Sequence, residues 1–121
     1  MKLEMVRGLS RLVLLIALTA TAAAAEAESR PTRFWNLTKN TISEFRLAPA
    51  GTSNWGPDQC KNDKDGSVEP DERLRIIGLA SGNYDARFSD VTGRVCIVRD
   101  IKVEAGAVFS IEEKDLTSCD R

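Results

Sequence analysis

The clearest spacing of potential ligands in the chain lies in one twelve-residue segment, 61–72 (KNDKDGSVEPDE). Carboxylates fall at four ligand positions of a twelve-residue calcium loop: Asp63, Asp65, Glu69 and Glu72. Gly66 takes the sixth position, where such a loop turns sharply, and hard oxygen ligands at this spacing suit Ca²⁺. Lys61 stands where the first acidic ligand is expected, and the flanks do not resemble helices. The segment predicts either a weak calcium site or a solvated turn, since Asp and Gly are also ordinary turn residues.

Histidine is absent from the sequence, and its absence restricts the possible enzymes. Without imidazole there is no Ser-His-Asp triad, no Cys-His pair and no histidine metal ligand. The cysteines are too dispersed for a zinc site, and no glycine-rich phosphate loop occurs. The remaining catalytic arrangement for a small hydrolase is a pair of facing carboxylates, as in glycosidases. We therefore expect a protein that is not an enzyme, with a carboxylate-based hydrolase as an alternative.

Three cysteines, Cys60, Cys96 and Cys119, predict one disulfide and one spare thiol in an oxidising compartment. The expected pair is Cys96–Cys119, because a hairpin between them would return the chain close to its start. Pairing of Cys60 with either of the other two is the alternative. A bridge closing the loop between Cys96 and Cys119 is expected to contribute about 3 kcal/mol to the stability of such a small domain.

Two other residues fit known binding or modification patterns. Trp55 lies in a Gly- and Pro-containing loop, where an exposed indole can stack on a ligand or fold down to plug the end of a sandwich. Plugging is the more common outcome. Asn36 begins an N-x-T glycosylation sequon, which we interpret as a chance match.

The first 25 residues have the three parts of a secretory signal peptide. A basic start precedes the apolar stretch Leu12–Ala20, which is much shorter than the roughly 20 residues that a membrane-spanning helix needs. Two A-x-A patterns predict cleavage after Ala25 or Ala27. Residues 26–32 are then a flexible junction, and 33–121 a single domain in the periplasm or outside the cell.

The charge of the chain disfavours some classes of partner. The predicted leader, 1–25, holds three of the 17 basic and one of the 18 acidic residues, which leaves 14 basic and 17 acidic residues. No run of basic residues follows the leader, and phosphate binding needs grouped Lys and Arg. We therefore expect no binding to nucleic acid, weak attraction to anionic lipid and no stable membrane anchor after cleavage.

Short alternating runs of polar and apolar residues follow the junction, separated by turn residues. The predicted strands are 33–37, 41–48, 73–79, 84–89, 94–101 and 107–113. The loop 49–66 has room for one helical turn, and Asp90–Gly93 predicts a hairpin turn. A change of phase at Arg99–Asp100 predicts a bulge, and 104–106 a second turn. This pattern predicts an all-β fold, a small antiparallel β-sandwich of Ig-like or prealbumin-like type.

Four short motifs suggest a family. They are Leu47–Gly51 (LAPAG), Trp55–Gln59 (WGPDQ), Gly82–Asp85 (GNYD) and Asp115–Cys119 (DLTSC). With them the chain resembles a family of small exported bacterial proteins of unknown function. The resemblance covers nearly all of the chain after the leader and implies an extracytoplasmic β-sandwich, with no mechanism.

Relatives of this kind sometimes carry the label argininosuccinate lyase. We do not expect that activity, because that enzyme family is a long helical chain with a Gly-Ser-Ser loop and a catalytic His, both absent here. The sequence instead predicts a periplasmic or secreted protein that binds an unknown protein or envelope component, or has a structural role in the envelope. The alternatives are a calcium-binding module and the small hydrolase.

Overall fold

The computed structural model describes residues 30–121, of which 31–121 form one compact unit. The predicted signal peptide and most of the junction lie outside the described residues. Strands make up most of the regular structure: β1 Thr32–Leu37, β2 Ile42–Pro49, β3 Arg73–Ile76, β4 Gly82–Asp90, β5 Val95–Val103, β6 Val108–Glu112 and β7 Cys119–Asp120. Two 3₁₀ turns accompany them, Gln59–Asn62 and Glu113–Asp115. The predicted all-β class is confirmed.

The strands form two sheets that face each other across one core. The three-stranded sheet has the order β3-β1-β6 and the four-stranded sheet the order β2-β4-β5-β7. All described pairs are antiparallel except β1–β6, which is parallel. The expectation of a purely antiparallel arrangement is therefore wrong at this pair.

The parallel pair arises from the path of the chain after the turn at 104–106. The turn forms as expected, with the Ala107 amide donating to the Glu104 carbonyl at 3.0 Å. However, β6 does not return along β5 as a hairpin partner. It crosses to the other sheet and pairs with β1, and a strand that arrives by a crossover is free to run parallel.

All four phenylalanines of the chain lie in the core. Phe34 of β1 stacks on Phe45 of β2, with ring centroids 4.2 Å apart and an interplanar angle of 15°. Phe88 and Phe109 flank this pair. The alternation of apolar and polar residues places these rings on the inner faces of the two sheets, so that burial of their apolar area holds the sheets together.

The bulge predicted near Arg99–Asp100 is present. Tyr84 pairs with Ile101 and Ala86 with Val98, so β5 carries an extra residue. Asp100 takes a φ of 57°, and its amide donates to the buried carboxylate of Asp85. Burial raises the pKa of Asp85, but the amide bonds from Asp100 and Gly51, with the Arg99 guanidinium, outweigh burial and lower it.

Strand β3 ends earlier than expected, at Ile76 instead of residue 79. The buried side chain of Gln59 explains the difference. Its Oε1 accepts from the Ile77 amide at 3.0 Å, and its Nε2 donates to the Ile77 carbonyl at 3.1 Å. The side-chain amide of Gln59 thus takes the backbone hydrogen bonds of Ile77 that a neighbouring strand would otherwise make. Gly78, with a φ of 82°, then turns the chain away from the sheet.

The Cys96–Cys119 disulfide is confirmed, with the two residues directly opposite each other in β5 and β7. The hairpin that was expected to bring them together is absent, because the chain reaches Cys119 only after β6 and the 3₁₀ turn Glu113–Asp115. Cys60 is a free and fully buried thiol. Its burial, and then the neighbouring carboxylates of Asp58 and Asp63, raise its pKa to about 12.

Thiol counting tests this arrangement. We expect no rapid reaction of the native protein with a thiol reagent, one thiol per chain in denaturant, and three in denaturant after reduction. The Cys96→Ala, Cys119→Ala double variant is expected to lose about 3 kcal/mol of stability, measured by urea unfolding. Three reactive thiols in the unreduced, unfolded chain, or a rapidly alkylated Cys60, would contradict the arrangement.

Candidate functional site

A groove of about 480 Å³ lies on the outer face of the four-stranded sheet. Its floor is formed by Arg87 of β4 and by Val95 and Ile97 of β5, three side chains outside the core cluster. Trp55 forms one wall, and the segment 117–120 forms the other. We call this feature the Trp55 groove.

Hydrogen bonds between the 49–57 loop and β2 position Trp55. The Gly56 amide donates to the Leu47 carbonyl at 2.9 Å, and Arg46 Nη1 donates to the Gly56 carbonyl at 2.9 Å. A Cβ at Gly56 would lie 3.2 Å from that Leu47 oxygen, which favours glycine next to the tryptophan. Trp55 is half-buried and is not part of the core cluster. It therefore borders a surface groove instead of plugging the end of the fold.

The disulfide holds the opposite wall. Cys119 is linked to Cys96 of β5, and the Ile97 amide donates to the Ser118 carbonyl at 2.9 Å. A second groove, of about 450 Å³, continues on the same face and shares Ile97, Thr117 and Ser118 with the first. Thr117 and Ser118 therefore border both grooves.

The lining of the Trp55 groove contains one cation, Arg87, and one carboxylate, Asp120, and no ion pair joins them. Arg46 pairs with Glu44 at 3.0 Å and Arg99 with Asp85 at 3.1 Å. Arg87, by contrast, makes no ion pair with any residue in 30–121. An exposed guanidinium beside an indole and two aliphatic side chains can bind a ligand that has both an anionic and an apolar part.

The structure does not bring the predicted calcium ligands together. Asp63 Oδ2 accepts from the Asp65 amide at 2.9 Å, and Glu72 Oε2 accepts from the Glu69 amide at 2.9 Å. Each of the two carboxylates therefore closes a local turn. Within residues 30–121, no three Asp, Glu, His or Cys side chains are grouped so that they could hold a metal ion. The calcium interpretation stays a prediction.

Asp90 is a site that sequence reasoning missed, although the Asp-x-Thr pattern of a turn was visible. Its buried carboxylate accepts from the Thr92 hydroxyl at 2.6 Å and from Arg94 Nε at 2.9 Å. Asn40 Nδ2 donates to it from another loop at 3.3 Å. Burial raises the pKa of Asp90, but the bonds from Thr92 and Arg94 outweigh burial and lower it to about 2.

Arg94 extends this network to the 3₁₀ turn Glu113–Asp115. Its Nη1 lies 3.0 Å from Glu113 Oε2, and the Lys39 amide donates to Glu113 Oε1 at 3.0 Å. The bonds from Arg94, and then from Lys39, lower the pKa of Glu113. The two carboxylates Asp90 and Glu113 join three loops at one end of the sheets, so their role is structural.

Asn36, the sequon residue, is fully buried. Its Nδ2 donates to the carbonyls of Asn40 and Val68, both at 3.0 Å, and its Oδ1 accepts from the Thr38 hydroxyl at 2.7 Å. The amide nitrogen that a glycan would modify is therefore used twice inside the fold. Asn36 organises the turn after β1, and the interpretation of the sequon as a chance match agrees with this burial.

No protein-family model, curated protein or solved structure matches the chain. The resemblance to the small exported bacterial family therefore stays a prediction. Among residues 30–121, the structure contains no helix that is long and apolar enough to cross a membrane.

The pH dependence of stability tests the role of Asp90. Its folded pKa, about 2, lies below the ordinary value of 3.8, so its stabilising contribution is present above pH 3.8 and is lost as the pH falls towards 2. That contribution is roughly 2 kcal/mol. Asp90→Asn is expected to be less stable than wild type by this order at pH 6, with the difference shrinking below pH 4. The exposed Asp65→Asn is the control, and a gap between Asp90→Asn and wild type that does not change with pH would contradict the assignment.

Calorimetry tests the calcium interpretation. Because Asp63 and Glu72 already accept hydrogen bonds from the amides of their own turns, we expect no binding heat and no change in melting temperature at about 1 mM Ca²⁺. Saturable heat that disappears in Asp65→Asn, Glu69→Gln would show that the loop rearranges around an ion.

Proposed function

We propose that this chain is an exported, non-enzymatic β-sandwich protein that binds a ligand in the Trp55 groove. The observation that carries the proposal is the unpaired guanidinium of Arg87 beside the half-buried indole of Trp55. A concave surface with a few polar groups among apolar side chains is the usual form of a ligand site. The ligand class that fits is a small or extended molecule with a carboxylate or phosphate and an apolar part, from a protein or an envelope component.

The described titratable groups support a role in binding rather than catalysis. General acids and bases work best with a pKa near the ambient pH. The pKa of Asp90 is lowered to about 2, and that of the buried Cys60 thiol is raised to about 12. The pKa of Asp85 is also lowered, by bonds that fix the β-bulge. These groups are committed to the fold, and the chain has no histidine.

The disulfide supports the export part of the proposal. Structural disulfides form and persist in oxidising compartments such as the periplasm or the extracellular space. Cys119 lines the groove and is held there by its bond to the buried Cys96, so a reducing compartment would loosen the binding surface. Together with the signal-like leader, this favours a periplasmic or secreted protein of sandwich type.

An NMR titration tests the groove. The probes are benzoate, indole-3-acetate, glucuronate and N-acetylated dipeptides with a free carboxylate. We expect at least one probe to shift the Trp55 indole signal and the amides of Ile97 and Ser118. Arg87→Gln is expected to weaken binding of that probe by about tenfold, because an anion loses its charge-assisted partner.

The matched control is Lys102→Gln, which removes one exposed positive charge from β5 outside the groove. It is expected to leave binding unchanged. Shifts scattered over the surface, or equal loss in Arg87→Gln and Lys102→Gln, would contradict a specific site in the groove.

A further inference from the structure

A second cationic surface lies on the outer face of the three-stranded sheet. In the register of β1 with β3, Arg33 is opposite Arg75, and Trp35 is opposite Arg73. Leu74 and Phe34 between them point into the core, so the three arginines share the outward face. The Arg73 guanidinium lies over the Trp35 ring, 4.3 Å from its centroid. We call Arg33, Trp35, Arg73 and Arg75 the arginine face.

These arginines make no ion pairs within residues 30–121. The described ion pairs engage Arg46, Arg94, Arg99, Lys102 and Lys114. All three guanidinium groups belong to exposed residues. Like charges directly opposite each other on neighbouring strands destabilise a sheet, so the pairing of Arg33 with Arg75 has a cost in the free protein. An anionic partner would remove that repulsion.

Aliphatic side chains are exposed beside the arginines. Val108, the partner of Arg33 on β6, is 50% exposed, and Ile77, directly after β3, is 54% exposed. Trp35 is half-buried, with Nε1 donating to Asp71 Oδ1 at 3.0 Å. The Asp71 carboxylate reduces the positive charge at that end of the strands. The positive charge is therefore concentrated at the opposite end, around Arg33, Arg75 and Val108.

We propose that the arginine face docks on an anionic phospholipid surface, in contrast to the weak attraction that the charge of the whole chain led us to expect. Charge complementarity requires an anion, and the three arginines lie on the outward face of two adjacent strands, where a plane of lipid headgroups can reach all of them. The exposed Val108 and Ile77 are suited to the boundary between headgroups and acyl chains. A soluble acidic polymer is the weaker fit, because the grooves described above lie on the other sheet. The binding is peripheral and salt-sensitive.

Vesicle flotation tests this proposal with the protein purified after export, its N-terminus checked by mass. The vesicles are phosphatidylcholine alone, or phosphatidylcholine with about 30 mol % phosphatidylglycerol. We expect binding only to the anionic vesicles, and loss of binding at about 0.5 M salt. Arg33→Gln and Arg75→Gln are each expected to weaken partitioning onto anionic vesicles by about fivefold, because each removes the attraction of one arginine to the anionic surface.

Two controls separate this surface from a general effect of charge and from unfolding. Lys102→Gln removes one exposed positive charge elsewhere and is expected to leave vesicle binding within about twofold of wild type. Arg33→Gln and Arg75→Gln are expected to retain or raise the melting temperature, because each removes the repulsion between the two arginines.

Several results would overturn the proposal. They are equal binding to neutral vesicles, absence of binding to anionic vesicles, or equal losses in Arg75→Gln and Lys102→Gln. Binding to soluble polyphosphate without binding to vesicles would also overturn it, in favour of a polymer ligand. Failure of the vesicle test leaves the titration of the Trp55 groove unaffected, since the two surfaces share no residue.

Discussion

The stacking of Phe34 on Phe45 joins the two sheets, and the outward surfaces depend on it. Each phenylalanine lies in a strand whose neighbouring side chains face the opposite way, so burying the rings fixes which residues reach solvent. A slip of one residue in β1 would place Phe34 in water and Arg33 in the core. The core thus controls the position of every arginine on the outer face of β1 and β3.

Buried carboxylates perform a second structural task that apolar packing cannot. Asp85 fixes the bulge in β5, and Asp90 ties a hairpin turn to a neighbouring loop. In residues 30–121, every buried side-chain nitrogen and oxygen has a hydrogen-bond partner. Because a buried carboxylate is stable only when its oxygens are satisfied, each of these residues determines the shape of the loop around it. Their lowered pKa values follow from this structural role.

The two proposed binding surfaces lie on opposite sheets and differ in shape. The Trp55 groove is concave and is walled by a loop and by the disulfide-linked segment 117–120, which suits a small ligand. The arginine face lies on paired strands and suits an extended anionic surface. A protein docked through Arg33 and Arg75 would keep the groove beside Arg87 open to solvent, because the outer faces of the two sheets point away from each other across the shared core.

Local pattern determined six of the seven described strands, the hairpin turn at Asp90–Gly93 and the bulge at Arg99–Asp100, because side-chain alternation and turn chemistry act over a few residues. The short strand β7 was not predicted, since its two residues pair with β5 only in the tertiary structure. The choice of Cys96–Cys119 was also correct, although the expected hairpin does not form. Only the tertiary structure decided that β6 crosses to the other sheet and that Arg33 meets Arg75. These two arginines lie far apart in the sequence, so no run of basic residues predicts a cationic surface. Only the register between β1 and β3 makes them neighbours.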